Sequence, residues 1–143
     1  ERNNWICRMI EKAIYKILSN VVQLGGVPVY FGTIPQVPNL EKYIVFYRNG
    51  TTPYDSKSGR STLDAADIQC NVFAQDADTC ADISEYVRGA LDRVSGTFDL
   101  IVVQSIQFNN QVTMFEFNDT YNTKGLYQIS QYYSCRVEPK YLP

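Results

Sequence analysis

An alternating segment followed by an amphipathic segment is the clearest pattern in this chain. Every second residue from Ala66 to Ala74 is apolar, and Asp67, Gln69 and Asn71 lie between them. This period of two is typical of a strand with one buried face. Asp76 then stands where a helix N-cap is expected. Apolar side chains follow at helical spacing: Ala77, Cys80, Ala81, Ser84, Val87, Leu91 and Val94. The segment therefore predicts a strand and a helix with packing surfaces and no catalytic constellation.

The N-terminal third predicts a second helix and a buried strand. An apolar stripe from Ile6 to Val21 favours a helix over residues 4–19, which a turn at 25–28 would end. Val29–Phe31 is a short extended piece, and the Pro-rich stretch after it is a connection. Tyr43–Tyr47 is continuously apolar and predicts a strand covered on both faces.

The remaining pattern predicts two loop regions and further strands. Arg48–Thr62 is polar and reads as a long loop. Asp99–Phe108 is predicted as a strand, and residues 109–125 as a turn at Asn109–Asn110, a short strand and a second polar loop. A long alternating strand, 127–137, closes the chain. The order predicts one α+β domain over residues 1–143, with a mostly antiparallel sheet and two helices packed on one face.

Composition argues against catalysis and against binding to a phosphate backbone. The 143 residues carry a formal net charge of −2, and no histidine is present. The absence of histidine removes His-activated nucleophiles and the usual zinc ligand sets. Lys and Arg are scattered, so no basic patch is predicted. We expect no catalytic residue, cofactor or metal, although a small enzyme that uses a carboxylate pair stays as an alternative.

The four cysteines are dispersed, with no C-x-x-C pair: Cys7, Cys70, Cys80 and Cys135. Cys70, Cys80 and Cys135 fall at inward positions, so buried free thiols are favoured over disulfides. A pairing of Cys70 with Cys135 stays open. No stretch is predicted to cross a membrane and no signal pattern is visible, so synthesis in a cytoplasm is the expectation.

The ordered elements resemble the tail-completion, or tail-terminator, proteins of long-tailed bacteriophages. The resemblance extends roughly from Ile6 to Val137. It rests on diffuse packing patterns: the N-terminal helix and its Gly turn, the link 33–38, the strands 43–47 and 67–74, the helix with Ala81, Val87, Ala90 and Leu91, and the closing segment 125–133.

The resemblance implies a structural virion protein of the phage neck. Its members form rings, typically hexamers, that cap the tail tube, stop its growth and join it to the head connector. The implied partners are copies of the same chain, the major tail tube protein and the head connector or stopper protein, with DNA passing through the lumen unread. Another ring of the neck or tail, such as a connector or adaptor, is the alternative within this class.

Interfaces are expected at sheet edges, helix termini and the two polar loops. Tyr132 is the preferred interface tyrosine because it lies on the polar side of its strand, although most of the 11 tyrosines are expected to fill the sheet faces. A loop that is exposed and has no partner is the alternative for Arg48–Thr62. The candidate interface residues are Arg48, Tyr54, Asp55, Lys57, Arg60, Tyr121, Lys124 and Tyr132.

The acidic residues have ordinary structural explanations. Asp76, Asp78 and Asp82 fit capping and the helix dipole better than a metal cluster. Asp55, Asp64 and Asp67 flank a loop, but no partner ligands recur at calcium-site spacing. Lys57 and Arg60 are candidate phosphate contacts, with solvated loop cations as the alternative.

Overall fold

A computed structural model gives the positions of residues 9–32, 40–53, 64–98, 101–116 and 125–138. Two helices, a 3₁₀ turn (Val22–Leu24) and six strands make up this part of the chain. The helices are α1 (Met9–Ser19) and α2 (Ala77–Leu91). The strands are β1 (Val29–Phe31), β2 (Lys42–Pro53), β3 (Asp64–Ala74), β4 (Gly96–Phe98), β5 (Ile101–Glu116) and β6 (Leu126–Val137).

The six strands form one curled sheet in the order β1-β2-β3-β6-β5-β4. Only β1 runs parallel to its neighbour, and every other pair is antiparallel. The centre is a ladder in which Ile68 faces Tyr133 and Val72 faces Ile129. The prediction of an α+β domain with a mostly antiparallel sheet is confirmed.

Both helices pack on the same side of the sheet, as predicted, and this side is called the helix face. Every second residue of the central strands points to this side. These side chains are Ile44 and Phe46 of β2, Ala66, Ile68, Cys70, Val72 and Ala74 of β3, and Ile129, Tyr133, Cys135 and Val137 of β6. Ile10, Ile14 and Leu18 of α1 and Val87 and Leu91 of α2 complete this core, each at 1% exposure or less. The Phe46 side chain is fully buried, and its ring packs edge-on against the ring of Phe31, with the two centroids 4.7 Å apart.

Local capping explains where α2 begins and ends. The Asp76 carboxylate accepts hydrogen bonds from the Thr79 amide and hydroxyl, both at 3.0 Å, which satisfies one of the free donors of the first turn. Arg93 has a φ of +65°, which stops the helix. The buried face is Cys80, Ile83, Ser84, Val87 and Leu91. The predicted inward positions Ala77 and Ala81 are instead exposed, and Ile83 takes their place.

Two polar stretches that were predicted as loop or turn are strand. Arg48–Pro53 continues β2, so the long loop predicted from Arg48 was wrong over these six positions, and residues 54–63 lie outside the described residues. The turn predicted at Asn109–Asn110 was also wrong, because β5 runs unbroken from Ile101 to Glu116. In both places a bulge absorbs the extra residue, so the strand bends without ending.

The other side, called the opposite face, divides into an apolar end and a polar end. Tyr43, Val45, Phe73 and Leu126 form a small apolar cluster. The polar end is a series of hydrogen-bonded side chains. Asn49 donates to Gln69 at 3.4 Å and Gln69 to Asn71 at 3.0 Å, while Gln128, which faces Phe73 of the apolar cluster, donates to Ser130 at 3.0 Å.

One polar network lies inside the helix-face core. Gln131 is 0% exposed, and its amide nitrogen donates to the Ser84 carbonyl at 2.9 Å and to Gln111 Oε1 at 3.0 Å. Its carbonyl oxygen accepts from the Tyr133 hydroxyl at 2.8 Å. The network links α2, β5 and β6, and it satisfies groups whose burial without partners would be costly.

Three of the four thiols are buried and free, as predicted for them: Cys70, Cys80 and Cys135. Burial raises the pKa of Cys70 and of Cys135 to about 12 and that of Cys80 to about 11. Cys70 faces Gln131 and Cys135 faces Ala66, so the two thiols share a face without being paired. Cys7 lies outside the described residues.

Candidate assembly surface

Two bulges lie at the same level on either side of the central ladder. The first falls between Arg48 and Gly50 on β2, and the second between Phe108 and Asn110 on β5. Arg48 pairs with Ile68, Ile68 with Tyr133, and Tyr133 with Phe108, so one row of paired residues crosses all four strands at the bulges. Because a bulge bends its strand and increases its twist, the aligned pair bends the whole sheet along this row.

A polar cleft of about 360 Å³ opens at this bend. Its lining is Asn49, Asp67, Ile68, Asn109, Asn110, Tyr132 and Tyr133. Asp67 is the only carboxylate among the described residues of the lining, and it faces Ser134 across the ladder. Asn109 is held by a 2.8 Å hydrogen bond to the Ser134 hydroxyl. The cleft offers hydrogen-bonding groups, but it contains no nucleophile paired with a base.

The β5 bulge is anchored from the helix side. The Phe108 amide donates to the Asp92 carboxylate at 3.0 Å, and the Arg88 guanidinium lies 3.8 Å from the centroid of the Phe108 ring. The Arg93 amide donates to the Ile106 carbonyl, and the Ile106 amide donates to the Val94 carbonyl. The segment that follows α2 is therefore hydrogen-bonded to β5 along the edge of the sheet. A cation over an aromatic ring adds roughly 0.5–1 kcal/mol at an exposed site.

Arg48, a predicted interface residue, is used within the chain. Its Nε lies 3.5 Å from Glu11 Oε2, which joins β2 to α1 on the helix face. The two side chains are 20% and 11% exposed, so the pair is partly shielded from solvent. The contact gives Arg48 a structural role, and its part in an interface stays a prediction.

Tyr132 lies where its alternation predicts, on the opposite face, half-buried in the lining of the cleft. Its part in an interface is a prediction that the fold does not test. The other predicted interface residues lie outside the described residues: Tyr54, Asp55, Lys57, Arg60, Tyr121 and Lys124. Asp55 also belongs to the calcium candidate with Asp64 and Asp67, so the described residues do not test that set.

The sheet has two stretches of strand edge with no strand beside them in the described part of the chain. The three residues of β1 pair with Ile44–Phe46 of β2, and no described strand pairs with the rest of β2 on that side. The three residues of β4 cover only Ile101–Val103 of β5, and the end of α2 covers β5 as far as Phe108. On the side of β5 away from β6, no described strand pairs with Asn109–Glu116, which is called the β5 edge, and strand edges of this kind are templates for pairing with another chain.

Apolar side chains are exposed along the β5 edge. Val112 is 42% exposed and Met114 is 46% exposed, and both lie on the opposite face. Two large apolar residues on a strand edge favour contact with another protein surface. The sequence analysis missed this surface because Asn109–Asn110 was interpreted as a turn.

Among the described residues, no group of three or more His, Cys, Asp or Glu side chains is placed to hold a metal ion. None of the helices in the described ranges is both long enough and apolar enough to span a membrane.

Comparison with known proteins gives a shared fold and no sequence family. No protein-family profile matches this chain, and no curated protein matches its sequence. A chain from a solved structure described as the virion of a native gene transfer agent particle has the same fold, with a TM-score of 0.66 and 18% identity over 88% of this chain and 92% of that one. A second solved structure, whose name states no function, gives a TM-score of 0.52 and 15% identity over 94% of this chain and 96% of that one.

Proposed function

We propose that this chain is a structural protein of a phage-like virion, a tail-terminator subunit that forms a ring between the tail tube and the head connector. The observation that carries the proposal is the shared fold with a chain of the gene transfer agent virion, which extends over most of both chains. At 18% identity this likeness concerns the fold, so the virion role is inferred.

The described surface supports an assembly role better than a catalytic one. Among the described residues, the lining of the cleft holds one carboxylate, Asp67, and no second carboxylate or Lys, Arg or His beside it, whereas Val112 and Met114 expose apolar surface at the sheet edge. A subunit of a ring needs two different contact patches, and we expect the sheet edges to contribute to them. The enzyme alternative would need a second carboxylate near Asp67.

The more specific role, as a terminator, rests on the resemblance of the ordered elements to that family. In this role one face of a ring, expected to be a hexamer, would match the last ring of tail tube protein and block further addition. The other face would receive the connector or stopper protein, and DNA would pass through the lumen without specific recognition. No cofactor takes part.

Measurement of the mass in solution together with negative-stain imaging tests the proposal. We expect rings of roughly six copies, formed by the chain alone or when it is mixed with the tail tube protein of the same virion. A chain that stays monomeric in both conditions, or that is absent from purified particles, would contradict the virion role.

A tube-growth assay separates a terminator from another neck or tail ring. Added to polymerising tube protein, a terminator shortens the tubes and labels one end of each. Rings that form but leave the tube length unchanged would favour the connector or adaptor alternative. In the same assay Tyr132→Ala is expected to weaken ring formation, with Tyr86→Ala, exposed on α2, as the matched control.

A further inference from the structure

We propose that the cleft on the opposite face receives the guanidinium of Arg93 from a neighbouring copy, which pairs with the Asp67 carboxylate beside the Tyr132 ring. This inference rests on the proposed function, in which copies of the chain assemble, and it names one contact that joins them. The contact uses two different surfaces of the subunit, so it repeats in the same direction from copy to copy.

The cleft presents hydrogen-bond acceptors that are not used within the described part of the chain. Asp67 is exposed in the lining, and its carboxylate forms no hydrogen bond or ion pair with a described residue. The side-chain amides of Asn49 and Asn109 each donate to a neighbouring strand, which leaves their carbonyl oxygens as acceptors. A group that fits this set therefore carries a positive charge and several N–H donors.

The β2 side of the Asp67 carboxylate is open. Gly50 is paired with Asp67 in the sheet, so both residues lie on the opposite face. No heavy atom lies within 4 Å of a Cβ built on Gly50. A side chain that enters from this side can reach the carboxylate without displacing the fold.

A guanidinium satisfies these groups better than an ammonium does. It is planar and has five N–H donors, so it can form two parallel hydrogen bonds to a carboxylate and still donate to neighbouring carbonyl oxygens. It also stacks on aromatic rings, and the half-buried Tyr132 offers one in the lining. An arginine side chain is therefore the expected occupant.

Arg93 is the described arginine whose side chain is available for this contact. Arg48 pairs with a carboxylate of α1, Arg88 lies over an aromatic ring, and Arg136 also has a partner. Arg93 is exposed, and its hydrogen bond within the described part of the chain is made by the backbone amide. Its guanidinium is thus left for a group outside the subunit.

The backbone of Arg93 gives a second reason to choose it. Its φ of +65° lies in the left-handed region, which favours glycine over residues that carry a Cβ. The arginine therefore strains the end of α2, and no side-chain contact within the described residues offsets that strain. Strained positions of this kind cluster where a side chain has a function, and a contact with the neighbouring copy supplies one.

Arg93 and the cleft lie on different parts of the subunit. The Arg93 amide is bonded to Ile106 at the outer edge of β5, whereas Asp67 lies on β3, with β6 between the two strands. The two side chains form no ion pair within one chain. A contact between two different patches is head-to-tail, and it closes into a ring when the rotation permits.

Exchange of the two charges tests this contact. Asp67→Arg and Arg93→Asp each place like charges at the contact, so the concentration for half-assembly into rings should rise at least ten-fold in mass photometry. The measurement uses the chain alone or with tube protein, whichever gives rings. An equal mixture of the two variants should assemble like the unmodified chain, because each cleft then meets an opposite charge. The chain that carries both substitutions should do the same.

Two charge changes elsewhere are the matched controls. Asp82→Arg and Lys16→Asp alter exposed charges on α2 and α1, away from the cleft and from the end of α2. Both variants should assemble at the concentration that the unmodified chain needs.

Arg93→Gly separates the contact from the fold. Glycine adopts a φ of +65° without strain, so this variant should unfold at a similar or higher urea concentration than the unmodified chain. Loss of the guanidinium should still raise the concentration for assembly at least ten-fold. Normal assembly of this variant would contradict the role of Arg93, and a lower urea midpoint would show that the side chain serves the fold instead.

The outcomes separate this contact from the proposed function. Rings that neither single charge change weakens would overturn the contact and leave the ring proposal standing. Weakening that neither the mixture nor the double variant reverses would also overturn it, because the loss would not come from the meeting of these two charges. Absence of rings from the unmodified chain, alone and with tube protein, would contradict the two proposals together.

Discussion

The two faces of the sheet are built from the same strands but carry different kinds of side chain. On the helix face the alternating residues of β3 are 0–1% exposed and pack against both helices. On the opposite face the same strand presents Asp67, Gln69 and Asn71, which lie beside a cleft and a hydrogen-bonded series of amides. The helix face thus holds the main core, and the exposed groups of the opposite face, such as Asp67, Val112 and Met114, are the ones that other molecules can contact.

This contrast separates stability from assembly. Substitutions on the helix face remove buried apolar area or buried hydrogen bonds, so they lower the free energy of unfolding. Substitutions at the exposed end of the opposite face remove little buried area, so they leave the fold intact. Four measurements test the contrast, beginning with the largest expected effect.

Phe46→Ala should cause the largest loss of stability. The ring is fully buried and packs edge-on against Phe31, so its removal leaves a cavity between β2 and α1. We expect the free energy of unfolding to fall by about 3–5 kcal/mol in urea titrations. Tyr15→Ala, 47% exposed on α1, is the control and should cost much less. Equal losses for both variants would contradict the assignment of the core to the helix face.

Gln131→Ala should cost about 2–3 kcal/mol because it leaves the Tyr133 hydroxyl buried without its partner. Tyr133→Phe alone should cost about 1–2 kcal/mol. The double variant should lose less than the sum of the two, because both substitutions break the same hydrogen bond. Additive losses in a double-mutant cycle would mean that the two side chains act independently.

Alkaline pH should destabilise the helix face through its buried thiols. The pKa of Cys70 is raised from 9.0 to about 12 by burial, so the folded state holds this proton where the unfolded state has lost it. The stability contributed by the neutral thiol is complete below pH 9 and is lost as the pH rises towards 12, at about 1.4 kcal/mol per pH unit.

Cys70→Val is the matched variant for this measurement. It removes the titrating group, so its unfolding free energy should fall less steeply between pH 9 and 11 than that of the unmodified chain. Parallel pH profiles of the two chains would show that Cys70 does not contribute.

Met114→Thr should have the smallest effect, because its side chain is 46% exposed on the β5 edge. We expect the free energy of unfolding to change by no more than about 0.5 kcal/mol. The matched control is Ile129→Thr, on the helix face of the neighbouring strand and 5% exposed, which should cost several times more. If ring formation also weakens in Met114→Thr while its urea midpoint is unchanged, the edge is a contact surface. A large loss of stability would instead place Met114 in the core.

The sequence predicted best those elements whose periodicity was uninterrupted. The alternation from Ala66 to Ala74 and the cap at Asp76 gave β3 and the start of α2 correctly, because each depends on local chemistry. The covered strand at Tyr43–Tyr47 was also correct, with its side chains packing into clusters on both faces. The short strand β4 was missed because its three residues have no periodicity of their own.

The predicted strand ends were wrong where polar residues were interpreted as the start of a loop, at Arg48, or as a turn, at Asn109–Asn110. Asn49-Gly50 and Asn109-Asn110 have turn chemistry, but in the fold each lies at a bulge inside a long strand. Pairing with β3 and β6 holds the backbone extended there, which a local pattern does not reveal. The cleft lies at these two bulges, and Val112 lies in the part of β5 that continues past the second one. For that reason the assembly surface was visible only once the register was known.

The hydrogen bond from the Phe108 amide to the Asp92 carboxylate couples the helix layer to the sheet. Since the last turn of α2 holds the β5 bulge, a force applied along the β5 edge pulls directly on the helix on the far side of the sheet. A neighbour that straightens β5 would have to lengthen this bond or drag α2 with it. Docking at the sheet edge would therefore be transmitted across the full thickness of the molecule.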